Sequence, residues 1–284
     1  MQTISEIRAL LEERGLQPKH RLGQNFLHDQ NLLRKLINAA DLSPGDLVLE
    51  VGPGTGTLTE GLLDSGARVV AVELDEELAS LVQDRLGDNI NFRLVRGDCL
   101  KSKHEISPAV LAALAETAAE PQPRFRLVAN LPYQSASPLI INLLLHHPQC
   151  SGLFVTIQKE VADRILAGPG SKTYGTLSII CRAFSRIERI ANCPPSCFWP
   201  QPKITSSMLA LRRRPDSETA DINPGQLSAL LQLLFSKRRK QLGSILGRDF
   251  PFPAGITPTA RPEQLTVEQL IKLSNIPRAT EAKS

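Results

Sequence analysis

A chain of 284 residues, 42% hydrophobic and 22% charged, has globular composition, with apolar material for one large domain and a small one. No run approaches the ~18 apolar residues of a membrane span, and Met1–His20 mixes charges throughout, without the apolar centre of a secretory signal, so a cytoplasmic location with no membrane partner is expected. The net charge of +4 is uneven: residues 41–100 carry twelve acids against four Arg, and residues 201–250 carry nine Lys/Arg against four acids. One part of the chain therefore suits phosphate and another repels it.

Ile4, Ile7, Leu10 and Leu11 have helical spacing and predict an amphipathic first helix. A second helix is predicted up to Ala40, with Asp29 as its N-cap. After the Pro44-Gly45 turn, Leu47-Val48-Leu49-Glu50-Val51 reads as a buried strand, followed at once by Gly52-Pro53-Gly54-Thr55-Gly56. Then come a helix over Thr57–Asp64, a strand over Val69–Val72, a helix over Glu76–Leu86 and a strand over Phe92–Val95 that ends at Gly97-Asp98. Residues 101–124 read as a helix with loops. Phe125–Ala129 is a strand ending at Asn130, Leu139–His146 a helix and Leu153–Gln158 a strand. This alternation implies an α/β fold with a doubly wound, mostly parallel sheet.

The texture changes after residue 200. Pro200, Pro202 and Arg212-Arg213-Arg214-Pro215 read as strand end and linker, and helical patterns follow over Gly225–Phe235, Lys237–Leu246 and Thr266–Leu273. The expected division is a large domain over 1–214 and a small helical domain over 215–284. The five cysteines are scattered and odd in number, as for reduced thiols. Cys193 and Cys197 have no second Cys/His pair nearby, so no metal site is expected. Lys237–Lys240 reads either as a phosphate-binding cluster or as a solvated face.

In a doubly wound sheet, ligands sit beyond the carboxyl ends of the strands. Glu50–Gly56, Glu73-Leu74-Asp75, Asp98 and Asn130 all fall there. Gly52 and Gly54 allow a tight turn and close approach to a ligand. The third glycine of a dinucleotide fingerprint is missing, because position 57 is Thr, and no Gly-Lys-Ser/Thr phosphate loop is present. Glu73 can accept both hydroxyls of a ribose, and Asp98 an adenine amine; each could also be only a helix cap or a surface acid. Acidic surroundings disfavour a pyrophosphate cofactor and tolerate S-adenosylmethionine, which carries a sulfonium, an ammonium and one carboxylate.

Asn130-Leu131-Pro132-Tyr133 is the most specific signal. An exocyclic adenine amine is a poor nucleophile because its lone pair is delocalised into the ring. Two acceptors that hold both N–H bonds let the nitrogen turn tetrahedral. The Asn130 side-chain oxygen and the Leu131 carbonyl can do this. Pro132 removes a competing N–H and biases Leu131 to an extended conformation, and Tyr133 offers a face for an unstacked base. The bland alternative is a Pro turn with a buried tyrosine.

In these residues and their order the chain resembles the small-subunit rRNA adenine N6-dimethyltransferases. The match rests on Gly23-Gln24-Asn25-Phe26-Leu27, Glu50–Thr59, Val72–Asp75, Gly97-Asp98 and Asn130–Tyr133. It continues through Gln158–Val161, Ser171–Ser178 and Phe198–Ser206. The resemblance implies a Rossmann-like methyltransferase fold in which Asn25 and Leu27 close over S-adenosylmethionine and Gly52, Gly54, Glu73, Asp98 and Asn130 contact it. It implies RNA contacts from Tyr133, Phe198, Lys203, Arg238 and Arg239. The implied reaction is dimethylation of two adjacent adenines in a hairpin loop near the 3′ end of small-subunit rRNA, on an immature small subunit, by a monomer. The family pattern leads one to expect a small residue where Trp199 stands. The related large-subunit methyltransferases of macrolide resistance share the cofactor motifs, but Gly168–Gly175 and Phe235–Lys240 look more like the small-subunit enzyme. A non-catalytic assembly factor would be signalled by loss of Asn130 or Asp98, and both are present.

Overall fold

Strands that read as unbroken apolar runs must be covered on both faces, and the computed structural model covers them with two helical layers. It describes residues 1–118, 124–247 and 249–277; Arg248, residues 119–123 of the 101–124 segment and the chain beyond 277 lie outside the described residues. In chain order the elements are α1 (Ile4–Glu12), β1 (Phe26–Leu27), α2 (Gln30–Ala40), β2 (Leu47–Val51), α3 (Thr57–Asp64), β3 (Arg68–Glu73), α4 (Glu76–Leu86) and β4 (Phe92–Arg96). A small hairpin, β5 (Leu100–Ser102) and β6 (Glu105–Ile106), precedes α5 (Pro108–Thr117). Then follow β7 (Phe125–Asn130), α6 (Ala136–His146), β8 (Cys150–Gln158), α7 (Lys159–Leu166), α8 (Thr176–Phe184), β9 (Ser185–Cys193), β10 (Phe198–Trp199) and β11 (Ser206–Arg213). The chain closes with α9 (Asp216–Thr219), α10 (Pro224–Ser236), α11 (Leu242–Leu246) and α12 (Val267–Ser274).

The main sheet has the order β4-β3-β2-β7-β8-β11-β9. The first five strands run parallel, and β11 runs antiparallel to both β8 and β9. Strand order reverses between β2 and β7, so the crevice for a ligand opens beyond their carboxyl ends. Leu49, Val70, Leu127 and Val155 face a core shared with α5, α6, α8, α10 and α12. Val48, Val69, Val128 and Phe154 face α2, α3 and α4.

Helices α1, α2 and α4 begin where side chains satisfy free N–H groups. Thr3 and Glu6 form a capping box on α1. Asp29 accepts from Asn31 N and Leu32 N, and Asp75 from Glu77 N and Leu78 N. The pattern over Lys237–Leu246, by contrast, becomes a turn followed by the short α11. Four successive cations complement the carbonyl end of α10 that they follow, and they would oppose the amino end of a new helix.

Among the described residues, no helix is long and apolar enough to cross a membrane. Arg126 and Asp46 tie together the amino ends of β7 and β2. Asp46 Oδ2 accepts from Arg126 at 3.0 Å, from Arg124 at 2.8 Å and from Ser43 N at 2.8 Å. Asp46 and Arg126 are both buried. Asp46→Ala leaves a buried guanidinium without its carboxylate, and urea unfolding should show a loss of about 3 kcal/mol. A loss below about 1 kcal/mol would place this pair with ordinary surface ion pairs.

Candidate active site

The ends of β2, β3, β4 and β7 open into a cavity of about 340 Å³. Its floor is the Gly52–Thr55 loop. Glu73, Asp98 and Asn130–Tyr133 form its sides, and a strap of residues 20–27 together with Phe198 closes it. Asn25, Leu27, Gly52, Gly54, Glu73, Asp98, Asn130, Leu131, Pro132, Tyr133 and Phe198 therefore share one space. Lys203, Arg238 and Arg239 do not line it.

The glycine loop is shaped for close approach. Gly52 and Gly54 both have positive φ, 74° and 59°. A Cβ on Gly54 would stand 2.9 Å from the Phe26 ring, and one on Gly52 would stand 3.3 Å from Pro132 Cγ. Only glycine lets the strap and the Pro132 turn come this close to the loop. Glu73, at the end of β3, accepts from Gly54 N at 3.2 Å with one oxygen and from Asp75 N at 2.9 Å with the other. These bonds lock the carboxylate against the loop, and each oxygen keeps a lone pair. Asp98 follows Gly97 at the end of β4, is exposed, and accepts Leu100 N at 2.9 Å through Oδ1.

Asn130 ends β7. Its Nδ2 donates to the Asn25 carbonyl at 3.2 Å, which turns Oδ1 away from the strap. Leu131 N donates to Thr156 O at 3.0 Å and pins the next peptide to β8. Among the described residues no donor reaches either Asn130 Oδ1 or the Leu131 carbonyl. Two acceptors are thus left free at adjacent positions, and the half-buried Tyr133 lines the same wall.

The strap is fixed at several points. Gln24 accepts Lys19 N through its side-chain oxygen and donates to Asp75 at 3.0 Å. Lys19 also pairs with Asp75 at 2.8 Å and with Glu77. Phe26–Leu27 pairs antiparallel with Trp199–Phe198. Arg238 has an internal role instead. Its guanidinium donates to Ser171 O, Lys172 O and Glu263, bringing the Lys237–Lys240 turn beside the 168–172 loop. Lys237, Arg239 and Lys240 are exposed.

The cavity also holds an acid that the sequence reading does not single out. Glu50 is 1% exposed, lines the cavity, and accepts Thr59 Oγ1 at 2.7 Å. Burial pushes its pKa up to about 8; nearby Glu73 adds to the rise and the Thr59 hydroxyl opposes it. Burial likewise raises Glu73, against the backbone N–H groups that favour its charged form. The available signal was one ionisable residue inside an otherwise apolar strand. Three carboxylic acids, Glu50, Glu73 and Asp98, therefore face one space. These acids suit a ligand that carries positive charge, a ribose and an adenine, and Arg21 of the strap, which lines the same space, is available for a carboxylate. Among the described residues no group of three His, Cys, Asp or Glu could hold a metal ion.

A profile of the family described as Ribosomal RNA adenine dimethylase matches residues 15–277. The Ribosomal RNA small subunit methyltransferase A of Cutibacterium acnes is 37% identical over 287 residues, covering 95% of this chain and 92% of that protein. The structure is similar to that of a dimethyladenosine transferase from Plasmodium falciparum, with a TM-score of 0.70 and 27% identity over 87% of this chain and 95% of that one. It is also similar to the 23S rRNA methyltransferase ErmE, with a TM-score of 0.63 and 26% identity over 89% of this chain and 100% of that one.

The buried acid makes stability depend on pH. The unfolded Glu50 carboxyl releases its proton near its ordinary value of 4.5, and the folded one holds it up to about 8. Between those values the unfolded chain binds fewer protons, so this site's contribution to stability falls as pH rises through the window. Glu50→Gln has no proton to lose. Its melting temperature should match the wild type near pH 5 and exceed it near pH 8. Equal melting temperatures at both pH values would contradict a buried, proton-holding Glu50.

Proposed function

This chain belongs to the ribosomal RNA adenine dimethylase family, and on that premise we propose that it uses S-adenosylmethionine to dimethylate N6 of two adjacent adenines in a hairpin loop near the 3′ end of small-subunit rRNA. The observation that carries this reading is the pair of free acceptors, Asn130 Oδ1 and the Leu131 carbonyl, beside an acidic cavity floored by glycine. The relatives named for the small ribosomal subunit support the choice of RNA.

The residues fit the cofactor by their chemistry. Glu73 would accept the ribose hydroxyls, Asp98 the adenine amine, and Gly52 and Gly54 would admit the chain of the methionine moiety to the loop. When bound, S-adenosylmethionine supplies an electrophilic methyl group on a sulfonium. The protein's task is then to make a delocalised amine nucleophilic. Asn130 Oδ1 and the Leu131 carbonyl would each accept one N–H of the target amine, which favours a tetrahedral nitrogen whose lone pair is localised. These contacts strengthen as the nitrogen changes geometry, so they act on the transition state more than on binding. Tyr133 and Phe198 would hold the unstacked base, and an unpaired loop yields such a base at low cost.

No general base is required, because the methylated ammonium is acidic and gives its proton to solvent. The secondary amine keeps one N–H for one of the two acceptors, and rotation about its C–N bond would present the lone pair again for a second transfer. Gly52 and Pro132 leave little side-chain bulk beside the acceptors.

RNA docking is assigned to the chain from residue 215 onward, and chemistry to residues 1–214. The exposed Lys237, Arg239 and Lys240 would meet phosphates, joined by the exposed Lys203. Arg238 would act by holding the turn in place. The protein is read as a cytoplasmic monomer acting on an immature small subunit.

The test is incubation of the purified protein with methyl-labelled cofactor and small-subunit particles lacking the modification, followed by nucleoside digestion. N6,N6-dimethyladenosine in small-subunit RNA is the expected product. Monomethyladenosine alone at completion, or label confined to large-subunit RNA, would overturn the assignment.

A further inference from the structure

The strap supplies the carbonyl that orients Asn130, so whatever holds the strap also sets the geometry of the reacting amine. Two residues outside the cavity's own chemistry stand in that position. Trp199 pairs with Phe26 across the β1–β10 ladder, and their rings stack with centroids 6.3 Å apart and planes inclined by 23°. The Arg8 guanidinium of α1 lies 5.1 Å from the centroid of the Trp199 ring. Phe26 in turn rests over Gly54, where a Cβ would meet its ring at 2.9 Å. It also belongs to a small core with Ile7 and Leu11 of α1 and Leu78 and Leu81 of α4. The next ladder pair, Leu27 with Phe198, and the bond from His28 N to Cys197 O at 3.0 Å continue the seam.

Arg8, Trp199 and Phe26 thus form a stack that ends on the glycine loop. The residue after Phe198 has its large ring on the strap, and Phe198 itself faces the cavity. Of the strap's anchors, Gln24 and Lys19 hold its start, and Phe26 and Leu27 hold the end next to the Asn25 carbonyl.

We propose that Trp199 and Arg8 are positioning residues for methyl transfer: by clamping Phe26 they hold the Asn25 carbonyl where it fixes the Asn130 carboxamide with its oxygen toward the target amine. This rests on the function proposed above. A two-residue ladder contributes few backbone bonds, so the seam depends on side-chain packing, and an aromatic stack with a cation on its face provides it. Loosening the clamp leaves the acceptors present but lets the carboxamide turn its NH₂ toward the amine. The effect falls on turnover more than on the affinity of RNA.

The test combines kinetics with amide hydrogen exchange of the strap. Trp199→Ala should speed exchange over residues 20–28 and lower kcat by roughly tenfold, the size expected for losing an aromatic stack. Exchange in the central strands and the affinity for small-subunit RNA should stay as in the wild type. Trp199→Phe keeps a ring for Phe26 and a face for Arg8, and it should recover both readouts. Arg8→Gln, on an exposed helix face, should lower kcat by roughly two- to fivefold, and it decides the matter if Trp199→Ala does not fold. Unchanged strap exchange in both Trp199→Ala and Arg8→Gln would overturn the proposal. So would faster exchange with wild-type kcat, or failure of Trp199→Phe to restore turnover. If the wild type methylates no adenine but binds S-adenosylhomocysteine, the proposed function fails. Exchange of the strap with S-adenosylhomocysteine bound still tests the clamp in that case: Trp199→Ala should exchange faster than the wild type, and equal rates would overturn it.

Discussion

A carboxamide can offer a ligand either its oxygen or its NH₂, and the bond from Asn130 Nδ2 to the Asn25 carbonyl determines which. Much of the cavity is arranged around that bond. β7 carries Asn130 to the crevice where strand order reverses. The strap brings Asn25 across, and it can lie that low because position 54 has no side chain; the bare position 52 makes room for Pro132. Leu131 is held by β8, so the carbonyl next to the carboxamide is set by the sheet rather than by a loop. A hydrogen-bond acceptor fixed before the reaction needs no reorganisation during it, which is the general source of this kind of rate enhancement.

Charge is divided to match. Burial of Glu50 and Glu73 beneath the glycine loop makes their ionisation costly, and a cationic ligand offsets that cost where a phosphate would add to it. A cluster of exposed cations, Lys237, Arg239 and Lys240, lies on the turn after α10, away from the cavity, whereas the exposed Arg21 of the strap stands on the cavity wall. A cofactor with a net positive charge and a polyanionic substrate can then approach through separate surfaces. The internal bonds of Arg238 fit this division, since a cation committed to three protein acceptors holds the turn that presents its neighbours.

Most of the parallel half was legible in the sequence because local signals agree there. Asp29 announces a helix start, strands such as Leu47–Val51 are nearly all apolar, and the chemistry falls at strand ends, where an α/β sheet exposes it. Later elements were harder to read. α7 begins at Lys159 directly after β8 ends at Gln158, with no Gly or Pro between them. β9 mixes charged and apolar residues at a half-exposed edge, and its pairing with β11 is a tertiary fact. The cationic run after Ser236 has helical propensity, but the carbonyls of α10 and of Ser171 and Lys172 hold it as a turn. Within the site, the Leu131 carbonyl and the glycine turn were readable as backbone roles, and the part of the Asn25 backbone was not. The resemblance implied only that Asn25 closes over the cofactor, whereas in the structure its carbonyl oxygen accepts from Asn130. Trp199 stood out only as a large residue where a small one was expected, and its stacking on Phe26 supplies a reason for the size.

The central claim is that the Asn130 carboxamide acts on the amine during transfer and contributes little to holding RNA. The most direct measurement is single-turnover methylation by Asn130→Ala with saturating cofactor, together with the variant's affinity for small-subunit RNA. The account predicts a rate reduced roughly a hundredfold or more, as for loss of a preorganised polar group, with RNA affinity close to the wild type. A near wild-type rate at saturating cofactor would contradict it.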